Sequence, residues 1–340
     1  MTRLSLLPAA GLLLLAAAGT AHADGSGSAT LDAVRARGQL VCGVEGSTPG
    51  FSIPDSQGVY RGLDVDLCKA VAAVTLGDSS KVKYVPLTST NRFTALQAAE
   101  IDVLIRETTW TMGREASLGA LFAGINFYDG TGFIVKVALG VKSAKELDGA
   151  SVCVQPGTST ELAIADYFRQ AKLKFTPILI DNYPELQAAF ISGRCDVLSN
   201  DSSALATFRA TQAKPADFML LPEIISKEPL GPMVRKGDDK WFDIIRWTYF
   251  AQLIAEEHGL TSATIDAAMT SQEPEVRRFL GLEGDLGKAL GVDAKWAYNA
   301  IKQVGNAAEI WDRNMTPLGV PRGINALWNK GGLMYPIPLR

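Results

Sequence analysis

Short apolar segments of strand character alternate with segments of helical spacing along this chain, and the alternation starts over once. Residues 31–38 (LDAVRARG) read as a helix ended by glycine, followed by a strand at 39–44. Residues 62–76 carry apolar side chains at helical spacing ahead of Gly77, then come a strand at 82–86, a helix at 92–99 and a strand at 102–105. After 142–147 the rhythm restarts, with strands at 151–155, 177–180 and 195–200 and helices opening at 158–160 and spanning 183–192. Such a rhythm specifies parallel sheets covered by helices, with a ligand site at the carboxyl ends of the strands. The expected fold class is therefore α/β with two lobes. Two extended segments, 132–136 and 231–235, are expected to be parallel hinge strands crossing between the lobes. The expected layout is a first lobe at 24–133 that is completed by 234–282, a second lobe at 134–233, and an extension at 283–340. The helix at 240–258 returns the chain to the first lobe. Trp296, Trp311 and Trp328 make the extension too apolar for a free tail, so it should pack on the first lobe.

The amino terminus fixes the compartment. Arg3 precedes an apolar run from Leu4 to Ala18, and Ala21-His22-Ala23 has the small-x-small form of a cleavage site, so 1–23 reads as a secretory signal cut after Ala23. The alternative is an uncleaved anchor, but the run is interrupted by Pro8 and falls short of the ~20 residues a membrane span needs. With a formal net charge of −3 and no cluster of Lys and Arg, the chain lacks the basic face that nucleic acid requires. Four cysteines in an exported chain are first read as disulfides, and the expected pairs are Cys42–Cys68 and Cys153–Cys195, one clip in each lobe. Four cysteines allow three pairings, and free buried thiols are the alternative. Cleavage removes His22, which leaves His258 at a helix end as the one imidazole, so a histidine metal site or a Ser-His-Asp triad is excluded. No P-loop is present either, because Ala289 stands where the motif needs a hydroxyl.

Five motifs carry a family resemblance: RGLDVDLC (61–68), TWTMGR (109–114), GTSTE (157–161), GRCDVLSND (193–201) and IISKEPLGP (224–232). The chain resembles the polar amino acid binding proteins of ABC uptake systems, in the branch serving general L-amino acid transporters. The resemblance runs from about Leu31 to the carboxyl terminus. It implies the type II periplasmic-binding-protein fold, a free amino acid as ligand, a membrane permease as partner, a periplasmic monomer, no cofactor and no catalysis.

A free amino acid is a zwitterion, and burying either pole unpaired costs several kcal/mol, so its site must offer fixed groups of opposite sign. Arg114 is expected to fork onto the carboxylate, with Thr109 and Thr111 adding contacts from the same loop. Thr158 would present the amino end of a helix to that carboxylate from the other lobe. Asp201 would accept the ammonium, matching the acid that does so in the family. The alternatives are ordinary: Arg114 pairing with a surface acid, Thr111 and Thr158 capping helices, and Asp201 capping the helix that starts at Ser202. Phe51 is expected to cover the ligand unless it is a core aromatic. Glu107 stands where the branch carries Asn, and Glu45 lies in a loop where small or amide residues are expected; both acids would favour a cationic side chain unless they pair with Arg92 or Arg106. The competing reading is an exported enzyme of the prephenate or arogenate dehydratase kind, with Glu45 or Glu107 as its acid.

Overall fold

The computed structural model describes residues 26–340. The expected signal at 1–23 lies outside the described residues. Fourteen strands follow the chain among the described residues. They are β1 (Leu40–Val44), a small hairpin of β2 (Ile53–Pro54) and β3 (Tyr60–Arg61), β4 (Val82–Pro86), β5 (Val103–Leu104), β6 (Ala120–Phe122), β7 (Phe127–Asp129) and β8 (Thr131–Lys136). Then come β9 (Ala150–Val154), β10 (Phe175–Leu179), β11 (Val197–Asp201), β12 (Phe218–Leu220), β13 (Glu228–Leu230) and β14 (Met233–Arg235). The first sheet has the order β4-β1-β5-β14-β6, and the second β10-β9-β11-β8-β12. In both, the first three strands are parallel and the rest antiparallel.

The first sheet is completed out of sequence. β14 pairs with β5 and β6, and the helix Asp239–Glu257 packs its Ile244, Leu253 and Ile254 into the same core as Cys42 of β1 and Leu67 of the helix Leu63–Leu76. Residues 296–339 belong to that core too, through Trp296, Ile301, Ile310 and Leu339. The helix Leu63–Leu76 is buried on nearly every face, which explains its run of Val, Ala and Leu, and Gly77 ends it in the left-handed region with φ 73°. Trp328 stays about half exposed and donates its indole N–H to Glu257.

The disulfides are Cys42–Cys68, pinning β1 to the helix Leu63–Leu76, and Cys153–Cys195, joining β9 to the residues before β11. Their Cα atoms stand 6.2 and 5.8 Å apart, inside the usual reach of the bond.

The crossing between lobes differs from the sequence expectation. Residues 131–136 form β8 inside the second sheet, and 233–235 form β14 inside the first. The crossing pair is β7 with β13, and it is antiparallel, Phe127 facing Leu230 and Asp129 facing Glu228. The segments 132–136 and 231–235 look hydrophobic because each is a buried sheet strand, while the true crossing strands carry polar residues, Asp129 and Glu228, that alternation rules pass over.

Candidate functional site

β1, β5 and β11 end at the gap between the two lobes, and the loops that follow them supply most of its wall. The loop after β1 brings Glu45 and Thr48, the loop after β5 brings Arg106, Glu107 and Thr109, and β11 ends in Asn200 and Asp201. Thr158, Ser159 and Thr160 open the helix Ser159–Ala171 on the second-lobe wall, which β11 and Tyr183 share, and Arg92 adds to the first-lobe wall. Contacts already join the walls. Ser89 and Thr90 of the first lobe donate to Asp181 of the second at 2.6 and 2.7 Å, and the hydroxyls of Thr109 and Ser159 lie 2.9 Å apart.

Asp201 is 6% exposed and makes no side-chain cap to the helix it precedes. Asp129 takes that role from the crossing strand, accepting from the hydroxyls of Ser202 and Ser203 and from the Ser203 amide. Asp201 is left facing the gap as a carboxylate without a hydrogen-bond partner among the described residues. Burial raises it well above the ordinary carboxylate range, and the nearby charges of Asp129 and Glu228 push the same way. Such a group is an acceptor waiting for a cation.

Two arginines provide the opposite pole. Arg92 is 2% exposed, its Nε has no partner, and burial together with Arg106 and Arg114 pulls its guanidinium well below the usual value. Arg106 spends its Nε on the carbonyl of Leu87 at 2.8 Å and leaves one Nη unpaired. From the sequence, both enter only as alternative partners for Glu45 and Glu107. Arg114 is a third guanidinium near these two. Its Nη1 donates to the carbonyl of Thr109 at 2.8 Å and its guanidinium sits 5.3 Å from the Phe93 ring centre, yet it still senses the charges of Asp201 and Glu228.

The acids form a second group. Glu107 has a left-handed backbone, φ 43°, which is rare for a residue with a side chain and costs of order 1 kcal/mol. That turn aims its amide at Asp64, which accepts at 3.2 Å, and leaves its own Oε1 buried and unpaired. Asp64 is held there by Gly62: at φ 135°, a Cβ would stand 1.9 Å from the carbonyl oxygen of Phe51, and that close approach lets Phe51 accept the Asp64 amide. Glu45 is tied to its own loop, accepting from Ser47 and Thr48. It pairs with neither arginine.

Burial pushes Asp64 up to about 7 and Glu107 well above its usual value, each raised further by the neighbouring acids. Both therefore hold protons in the folded protein at pH values where the unfolded chain has lost them. Their contribution is fully present below the ordinary carboxylate range and is lost as pH rises, for Asp64 through about 7. The ligand-free protein should accordingly melt at a higher temperature near pH 5.5 than near pH 8. A melting point that climbs across that interval would contradict this placement of the acids.

Two expected ligand contacts lie elsewhere, and a third offers backbone instead of its hydroxyl. Phe51 is 1% exposed in a core with Phe127, Trp311 and Met315, its ring 5.1 Å from that of Phe127. It is a core aromatic. Thr111 caps the helix Met112–Ser117 by accepting the Arg114 amide. Thr158 does reach the wall, but its hydroxyl caps the helix Ser159–Ala171 and donates to the carbonyl of Gln155, so what it offers the gap is the amino end of that helix. A second cavity, behind the crossing strands, is lined by Leu63, Leu67, Tyr249, Leu253 and Trp311. Its one cation, Arg322, is already bound by Glu256, so it has no pair of free opposite charges to offer.

Residues 40–258 match the bacterial extracellular solute-binding proteins, family 3. The chain belongs to that family. It is 52% identical to the glutamate/glutamine/aspartate/asparagine-binding protein BztA of Rhodobacter capsulatus, over 94% of this chain and 95% of that one. It is 50% identical to the general L-amino acid-binding periplasmic protein AapJ of Rhizobium johnstonii, over 96% and 99%. A solved ABC transporter periplasmic binding protein from Brucella ovis, with glutathione bound, superposes with a TM-score of 0.89 at 50% identity, covering 92% of this chain and 99% of that one. The fold is the type II periplasmic-binding-protein fold.

Proposed function

We propose that this family 3 member is the extracytoplasmic receptor of an ABC uptake system, which closes its two lobes on one free L-amino acid and hands it to a membrane permease. The observation that carries the reading is Asp201, a buried carboxylate with no partner, facing the unpaired N–H groups of Arg92 and Arg106 across one gap. Asp201 takes the ammonium. The carboxylate goes to the arginines and to the helix end at Thr158, with Arg114 near them holding the Thr109 loop. Each pole is held by a different element, so only a ligand with both poles repays the desolvation of all of them. The names of BztA and AapJ, which describe amino acid binders, support the same reading. The protein acts as a periplasmic monomer released by cleavage after Ala23, and as a carrier rather than a catalyst.

The finer part of the proposal is a preference for cationic side chains. Glu107 and Glu45 reach the gap with Asp64 behind Glu107, and burial together with the neighbouring acids raises Glu107 well above its usual value. A guanidinium or ammonium would ionise Glu107 and release its proton, whereas a neutral side chain meets it protonated. Native purification followed by mass spectrometry is expected to find a retained amino acid. Calorimetric titration should then rank arginine, lysine or ornithine ahead of glutamine and glutamate, with the arginine advantage growing as pH rises. Glutamate binding as tightly as arginine would remove the preference, and a preparation that takes up no amino acid would remove the function.

A further inference from the structure

Glu228 is a buried acid on the crossing strand β13, 2% exposed, and it sits where both lobes can reach it. Thr109, from the first-lobe loop after β5, donates to its Oε2 at 2.6 Å. Ser159, at the start of the second-lobe helix Ser159–Ala171, donates to the same oxygen at 2.7 Å. Thr131, opening β8 of the second sheet, and Ser226, two residues upstream, donate to Oε1. One carboxylate thus gathers four hydroxyls, and its Oε2 is shared by residues from opposite walls of the gap. Thr109 and Ser159 both line that gap.

We propose that Glu228 couples ligand capture to closure, as a positioning residue whose hydrogen-bond set is complete only when the lobes are together. Its partners fall into two groups. Ser226 is two residues away in sequence and Thr131 follows directly on β7, the strand paired with β13, so these two stay in reach whatever the lobes do. Thr109 and Ser159 ride on separate lobes, and because the Thr109 backbone is bridged to Leu230 of β13 it is Ser159 that reaches Oε2 only across a shut gap. Opening pulls one of them away and leaves a buried carboxylate oxygen short of a donor, a loss that charge-assisted hydrogen bonds make steep. Closure also spends the protons of both hydroxyls on Glu228, so that their oxygens face the ligand as acceptors. The charge of Glu228 further reaches Arg114 and Asp201, which places the node in electrical contact with both poles of the site.

The inference rests on the gap being the amino-acid site, and the experiment separates the two. Glu228→Gln keeps the shape of the side chain and removes one acceptor. Calorimetry with the amino acid that copurifies is expected to give a dissociation constant at least tenfold weaker. Small-angle scattering should find the variant more extended than the parent protein without ligand, and less contracted at a concentration that saturates the parent. Ser159→Ala should do the same, and the double variant should lose no more than about the larger single loss, because both remove one closure-dependent contact. Ser226→Ala, which removes a contact independent of closure, should leave the scattering profile unchanged. A Glu228→Gln protein that binds within twofold of the parent and contracts as fully overturns the proposal, as do fully additive losses with Ser159→Ala. If the parent binds no amino acid but Glu228→Gln still opens it, the proposed function fails and the closing role stands.

Discussion

Replacing Asp201 with asparagine is expected to abolish high-affinity amino-acid binding while leaving the fold intact or sturdier. The carboxylate is 6% exposed and has no protein hydrogen bond, so the ligand ammonium is its proposed counter-ion. Removing one member of a buried charge pair costs about 2–5 kcal/mol, which corresponds to roughly a 30-fold to several-thousand-fold rise in the dissociation constant. Stability should move the other way. Burial raises the pKa of Asp201, so near neutral pH the ligand-free fold bears the cost of ionising it or of holding a proton the unfolded chain would release. Asparagine carries neither burden. Calorimetry and thermal melting of the same preparation test both halves, and a variant that binds within threefold of the parent would show that the ammonium goes elsewhere.

Trp296→Ala should cost about 3–5 kcal/mol of stability, the range for emptying a large aromatic from a closed core. Trp296 is 2% exposed and opens the helix Trp296–Val304, which packs on the helices Leu63–Leu76 and Asp239–Glu257. Ala300, Ile301 and Val304 continue the same buried stripe. The segment 283–340 is thus built into the first core instead of lying on its surface, and removing its anchor opens a cavity within that core. Urea unfolding measures the loss. A drop below about 1 kcal/mol would mean that the extension is held mainly by other contacts.

The alternation of strand and helix, the glycine stops and the placement of the cysteines were enough to read the three parallel strands of each sheet from the residues, because each is a local signal tied to a local geometry. The motif GRCDVLSND likewise brought Asp201 to a strand end. What stayed hidden was tertiary in origin. Whether Asp201 or Asp129 caps the helix at Ser202 depends on β8, which runs on from β7, pairing with β11, and the two residues lie far apart in sequence. Phe51 follows a Pro-Gly pair in a loop that faces the gap, yet its ring turns into a core completed by Trp311 and Met315 from the far end of the chain. Arg92 and Arg106 looked like partners for Glu45 and Glu107, but Glu45 is satisfied by its own loop and Glu107 by none of them. Glu228 sat inside a quoted motif without a distinguishing signal, since three of its four donors arrive from separate segments.

The out-of-order assembly of the first sheet bears on how the polypeptide reaches its native state after crossing a membrane. The second sheet draws all its strands from one unbroken stretch, β8 to β12, so it can form as soon as about two thirds of the chain has emerged. The first waits for β14 and for Trp296, Ile310 and Leu339, all of which follow the second sheet in sequence. During export the half that is finished is the half that holds Asp201, while the partner that would shut over it is still being delivered.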